Sequence, residues 1–300
     1  MTVETRTAGR LSALEQAVAA AVVYSDVFDY AVTLDEVRQA LPMAVSTAEV
    51  KDVLADDGPL SGLVARSGGF YTLTGRESLV ELRLQRFDAS AALMRRARRY
   101  GRLIAKLPFV RMVAVTGSLA VDNAGAGDDV DYLIVTAKGR VWLARGLTML
   151  VVRLARLRGL TLCPNYLLSE AALPLQERDV YTARELLQMR AVAGRAVHAR
   201  MLAANAWCRD LLPNWRVETV SEPERRSAIA RLGEWLLGGR LGDALERRLL
   251  RHKAGELRAR AGDSSEAVFS EDVCKGHFDA HRTRLEAELT SRLREIGVQP

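Results

Sequence analysis

Cysteine, histidine and lysine are all scarce in this chain, and each scarcity narrows the reading. Three cysteines, Cys163, Cys208 and Cys274, are spread through 300 residues. An odd, scattered set fits neither a disulfide framework nor a metal-ligand spacing, and reads as reduced thiols in a cytoplasmic protein. Of the four histidines (His198, His252, His277 and His281), two stand at i, i+4, with Cys274 three residues before His277. No second ligand pair accompanies them, so they read as part of a surface helix rather than a zinc site. Long apolar runs are missing as well. The most apolar stretch, VWLARGLTMLVVRLARLRG, is broken by Arg145, Arg153 and Arg156, too short and too charged to span a bilayer. The opening MTVETRTAGR lacks the apolar core of a secretory signal. No membrane partner is expected, and no internal repeat or low-complexity tract is present.

What is present is arginine: 38 Arg against 5 Lys, with a formal net charge of +6. A GC-rich genome produces such a bias without any function. A mildly basic chain suits a polyanionic partner without demanding one. Hydrophobic content of 49% and charged content of 27% are ordinary for a globular protein. Three hundred residues allow two domains, or three small ones.

The organisation follows from local signals. An Ala/Val-rich helix spans about 11–24. Thr33 with Glu36, and Ser46 with Glu49, are capping boxes that open short helices over 34–41 and 47–54. Two β-type runs flank Ser67-Gly68-Gly69, a hairpin signal. Three helices and a hairpin give a winged-helix-like domain over 1–78. Residues 79–107 form a basic connecting helix; 79–106 carry eight basic and two acidic residues, including Arg95, Arg96, Arg98, Arg99 and Arg102. This face is either a solvated linker surface or a contact for the phosphates of nucleic acid. From 108 to 220 strands and helices alternate: strand FVRMVAVTG, strand DVDYLIVT, a helix over 140–158 and a third strand in LTLCPNYLLSE. That alternation indicates an α/β layer. Thr182 is placed at a helix start, and a further helix spans 195–211, ended by Pro213. Residues 221–300 read as a helical, strongly charged C-terminal region. The fold class is therefore α+β.

The chemistry concentrates in VTGSLAVDNAGAGDDVDYLIVT. Residues alternate sides along a strand, so Asp129 and Asp131 share a face and Val130 takes the other. Two carboxylates this close repel unless a cation lies between them, and a hard divalent ion such as Mg²⁺ takes one or two carboxylates plus substrate phosphates. Gly117 lets the backbone approach a ligand. A Gly-Ser pair at a helix start offers N–H groups to phosphate, with Ser118 also suited to an N-cap. Asp122 and Asp128, in the spacer, read as loop acids. Asn205-Ala206-Trp207 and Pro213-Asn214-Trp215 read as packing elements rather than base-stacking platforms. Tyr181, Thr182 and Arg184 are placed near the site only because they follow the third strand.

The order strand, Gly-Ser, ten-residue spacer, Asp-Val-Asp and apolar run resembles the nucleotidyltransferase superfamily of the DNA polymerase beta type. The resemblance covers about 109–170 of this chain. It implies a palm with a small mixed sheet, an NTP substrate, two Mg²⁺ ions, phosphates held by Gly117 and Ser118, and metal held by Asp129 and Asp131. SDVFDY, GFYTLTGRE, CPNYLLSE, YTARELLQM and LPNW extend the similarity to bacterial nucleotidyltransferase-domain proteins of unassigned substrate. Members usually place one more carboxylate on the third strand, where this chain has Asn165. Either Glu170 reaches in, or two aspartates suffice, or nucleotide is bound without turnover. The expected activity is transfer of an NMP to a hydroxyl of an unidentified acceptor. The alternatives are a nucleotide-binding sensor and a winged-helix DNA-binding regulator.

Overall fold

The computed structural model describes residues 11–216, 227–262, 266–276 and 281–298. His277 lies outside them, so the Cys274–His277–His281 spacing has no structural reading. The chain forms a mixed α and β fold in two compact units. The first contains Met1–Arg83, Leu212–Trp215 and Leu285–Pro300, and the second Leu84–Leu211 and Arg216–Arg284. This differs from a division into four consecutive segments, because pieces distant in sequence pack together.

In the first unit, α1 (Ala13–Asp26), β1 (Val32–Thr33), α2 (Leu34–Gln39), α3 (Thr47–Val53), β2 (Val64–Ser67) and β3 (Phe70–Leu73) follow in order. Reciprocal capping boxes open three helices: Ser12 with Glu15, Thr33 with Glu36 and Ser46 with Glu49. Gly68 and Gly69 both have positive φ, +57° and +86°, the conformation that two-residue hairpin loops require. The resulting three-stranded antiparallel sheet runs β1-β3-β2. Val18, Val22, Val37, Leu41, Val50 and Tyr71 form its core, together with Leu293 and Val298 from the far end of the chain. Asn214 ties the 212–215 segment to the same unit, accepting from Val45 N at 3.1 Å and donating to Met43 O at 2.7 Å.

α4 (Leu79–Ile104) begins in the first unit and continues in the second. There follow β4 (Val110–Val115), α5 (Gly117–Ala120), β5 (Val130–Thr136), α6 (Val141–Arg156), β6 (Leu162–Ser169), α7 (Val180–Gln188), β7 (Arg190–Ala193), α8 (Arg195–Ala204), α9 (Cys208–Leu211), α10 (Ala228–Leu237), α11 (Arg240–Ala261), β8 (Val268–Phe269), β9 (Val273–Lys275) and α12 (His281–Glu295). The six-stranded sheet runs β7-β4-β5-β6-β9-β8, and only β5 and β6 are parallel. Several expectations are corrected here. The region after 221 is not purely helical, because its β8–β9 hairpin extends the main sheet at β6. The helix over 195–211 is broken at Asn205. The start of α7 is capped by Asp179, whose carboxylate accepts from Thr182 N at 2.8 Å; Thr182 is not the cap. A short strand, β7, occupies Arg190–Ala193, between α7 and α8.

One face of the sheet presents Val113, Val115, Val130, Tyr132, Ile134 and Leu167 to α4, α6 and α11. Tyr132 OH donates to Ala97 O of α4 at 2.6 Å, so the one polar atom of that buried ring is satisfied. Alternation sends Asp131, Leu133 and Val135 to the opposite face. Each buried aliphatic side chain contributes roughly 1.5–3 kcal/mol. No described helix is long and apolar enough to cross a membrane.

The start of α6 is capped from a distance. Arg140 offers no cap, and the buried Glu246 of α11 instead accepts from Trp142 N at 2.8 Å and Leu143 N at 2.7 Å. A carboxylate at a helix N-terminus answers both the free N–H groups and the helix dipole. Glu246→Ala leaves two buried donors unpaired and is expected to cost about 2–4 kcal/mol. Urea denaturation measures this, and a change below about 0.5 kcal/mol contradicts the capping role.

Candidate functional site

The Gly-Ser turn and the aspartate strand meet through the β4–β5 pairing. Val115 is paired with Tyr132, and Thr116 N donates to Asp131 O at 3.1 Å. The next residue, Gly117, turns with φ +66° into the single turn of α5. A Cβ built on Gly117 lies 2.6 Å from Asp131 Oδ2, closer than any side chain tolerates. Glycine is favoured there twice, by its φ and by the Asp131 carboxylate, which fills the space a Cβ would take. Ser118 lies inside the turn. The N-cap position belongs to Thr116, with no side-chain cap, so Ser118 is not the helix cap; its carbonyl accepts from Asn123 N at 2.9 Å.

The spacer is anchored where it turns. Ser90 Oγ of α4 donates to Ala124 O at 3.0 Å and accepts from Ala124 N at 2.9 Å, and Arg86 donates to Asn123 Oδ1 at 3.1 Å. Asp122 is held bidentately by Arg190 at 2.9 and 2.6 Å, and Asp128 accepts from Gly125 N at 2.8 Å. Both acids serve the loop itself. The strand begins at Val130, one residue later than the sequence pattern suggests, leaving Asp129 exposed at its mouth.

β6 supplies the neighbours of both carboxylates. Asp131 is in register with Cys163, but Leu133 with Tyr166, so one extra residue is inserted in β6 beside Asp131. Pro164 explains the bulge, since it cannot donate to a ladder. The bulge brings Asn165 to the site face, where its Nδ2 donates to Asp131 Oδ1 at 2.6 Å. Cys163 Sγ donates to Asp129 Oδ2 at 3.3 Å. Burial, followed by the Asp129 carboxylate, pushes that thiol up to about 12, so it remains a thiol. Asp131 itself is raised to about 6, chiefly by burial and next by the charge of Asp129, with the Asn165 hydrogen bond opposing.

A second acid feels the charge of Asp131. Glu185 of α7 is pushed to about 7, chiefly by burial, with Lys275 lowering it and Asp131 and Glu177 raising it. Tyr181 OH donates to Glu185 Oε1 at 3.2 Å. Lys275 pairs with Glu177 at 2.5 Å and stands 5.6 Å from the centre of the Tyr166 ring. Sequence reasoning picks out Tyr181 and Arg184 but misses Glu185. The available signal was the i, i+4 spacing from Tyr181, which puts both on one face of a helix.

The structure brings Gly117, Asp129, Asp131 and Asn165 together, and does not bring Glu170 to them. Glu170 follows β6 at the end where Ser169 faces Thr136, five strand positions and roughly 17 Å from Asp131. There Arg111 at 3.4 Å and Arg200 hold it. The correction has a simple cause: a parallel partner strand carries its final residue to the far edge of the sheet. Among the described residues no group of three or more His, Cys, Asp or Glu stands in metal-binding geometry. Asn205 is structural: it accepts from Leu175 N at 2.8 Å and donates to Leu173 O and Met201 O, both at 2.8 Å.

The raised Asp131 carboxyl binds a proton more tightly folded than unfolded. Its ionised form therefore weakens the native state above about pH 6, and that loss disappears once both states are protonated. Asp131→Asn is expected to be more stable than the wild type at pH 8, by up to about 3 kcal/mol. The gap should close below about pH 4. Thermal melts across this range check it, and a variant less stable than wild type at pH 8 contradicts the electrostatics. A search of protein-family models, of curated proteins and of solved structures finds no match to this chain.

Proposed function

We propose that this face carries out Mg²⁺-dependent nucleotidyl transfer, moving an NMP from an NTP to a hydroxyl of an acceptor with release of pyrophosphate. The observation that carries the reading is the Asp131 carboxylate in the space a Cβ of Gly117 would take, with the charge of Asp129 acting on it. A phosphate-bearing ligand at the turn approaches the backbone directly there, within reach of two hard oxygen donors. The donor chemistry fits Mg²⁺: two neighbouring carboxylates, with the charge of Asp129 raising the cost of ionising Asp131, as expected of ligands awaiting a cation. Bound Mg²⁺ supplies neutralisation of these carboxylates and polarisation of the phosphoryl oxygens.

The chain's own groups take the remaining parts. Gly117 and Ser118 grip the β- and γ-phosphates, and the anchored spacer fixes the turn relative to β5, so that substrate is positioned rather than merely bound. Glu185, with a carboxyl near 7, is matched to accepting the acceptor hydroxyl's proton near neutral pH. On this reading the six-stranded sheet is a polymerase-beta-type palm and the first unit a winged-helix-like domain. A second reading, nucleotide sensing without turnover, is favoured by Asn165, which meets Asp131 at 2.6 Å where the superfamily this chain resembles usually carries a third acid.

Asp129→Asn combined with Asp131→Asn is expected to reduce Mg²⁺-dependent NTP turnover by about a thousandfold or more while the fold persists. Pyrophosphate release, measured with each NTP and cell extract as the source of acceptor, reads it out. Wild-type turnover by the double variant overturns the site. Tight Mg²⁺–ATP binding by calorimetry, with no pyrophosphate from any acceptor, selects the sensor.

A further inference from the structure

The helix α10 is turned inside out relative to an ordinary surface helix. Its inner side is fixed: Ala230 is buried, Gly233 packs on Pro108, and Glu234 Oε1 accepts from Phe109 N at 2.7 Å and Arg111 Nη1 at 2.8 Å. Its outer side is apolar. Ile229, Leu232, Trp235 and Leu236, at i, i+3, i+6 and i+7, are 69%, 59%, 78% and 58% exposed, and Leu241 just beyond is 64% exposed. With roughly 150–250 Å² for an aromatic side chain such as Trp235 and less for each aliphatic one, these five at their exposed fractions present on the order of 600 Å². Contiguous apolar patches of that size on a monomer mark interaction sites.

We propose that α10 is the interface of a symmetric dimer, its outer face packed against the same face of a second copy of this chain. Area supports this occupant: five side chains supply most of the roughly 800 Å² per partner that a standard interface buries. A two-fold axis lets one patch serve both subunits, and Trp235 supplies the central aromatic anchor typical of such contacts. Charge agrees. The helix's one acid, Glu234, is engaged on the inner side, so no carboxylate is desolvated by the contact. An antiparallel pairing sets the exposed Arg231, near the start of one helix, beside the C-terminal end of the other, where a cation is favoured. A lipid surface suits this helix less well, because an interfacial helix keeps a polar face to water and the other side of α10 is buried in protein.

The inference is independent of the proposed transfer, and its test reads mass rather than activity. In sedimentation equilibrium the full-length chain should behave as a species of twice 33.0 kDa. Leu232→Glu with Trp235→Glu should raise the dimer dissociation constant by at least about a hundredfold. The milder Trp235→Ser should weaken it less, and both should keep the wild-type far-UV circular dichroism, since the altered side chains are exposed. Leu150→Glu with Leu154→Glu, placed on the exposed leucines of α6, should leave the dimer intact. A wild-type monomer at every concentration overturns the proposal. So does a dimer that survives the α10 changes but not the α6 changes, or a monomer that binds phosphatidylglycerol vesicles through α10.

Discussion

A carboxylate oxygen of Asp131 lies where the side chain of residue 117 would be, and the site is arranged around that approach. It fixes residue 117 as glycine. It requires β4 to end and turn at that point, and it requires β5 to begin with its first buried residue at Val130. The anchors of the spacer follow from the same constraint. Ser90 and Arg86 hold the loop from the α4 side and Arg190 holds it from β7. The chain that leaves Gly117 thus returns to β5 in one register. A slip of one residue would reverse the faces of both aspartates and of Tyr132, losing the carboxylate pair and the buried ring together.

The electrostatics of this face run against the rest of the molecule. A chain of net charge +6 gathers Asp129, Asp131, Glu177 and Glu185 around one end of its sheet, with Lys275 close to Glu177 and Glu185. Burial raises Asp131 and Glu185 rather than stabilising their charge. Such an arrangement weakens the fold near neutral pH, and two acids elsewhere are treated differently. Asp26 is paired with Arg76 and Arg292, and Glu170 with Arg111 and Arg200. Where a protein leaves carboxylates close and short of cations, function is the usual compensation.

The strand–turn–strand unit was legible in the sequence because its constraints are local. Glycine, the Asp-Val-Asp alternation and the β-branched flanks lie within about twenty consecutive residues, and the capping boxes of the first unit are equally short-ranged. The misreadings share the opposite property. Glu170 looks close to the site in sequence, but the direction of β6 carries it away. Asn165 reaches Asp131 through a bulge that Pro164 hints at without specifying. Glu185 comes within range of the Asp131 charge and of Lys275 only through the placement of α7. The β8–β9 hairpin and the end of α12 are placed by partners more than a hundred residues distant, which no local propensity records.

The most direct test is a double-mutant cycle between residues 117 and 131. Gly117→Ala should destabilise the protein through both its positive φ and the collision with Asp131. Asp131→Ala should relieve the collision and leave only the backbone strain. The account predicts that the two changes together cost less than their sum by about 1 kcal/mol or more, as contacting residues do. Additivity within about 0.5 kcal/mol would mean that the carboxylate does not press on the glycine, and the site as described would not exist.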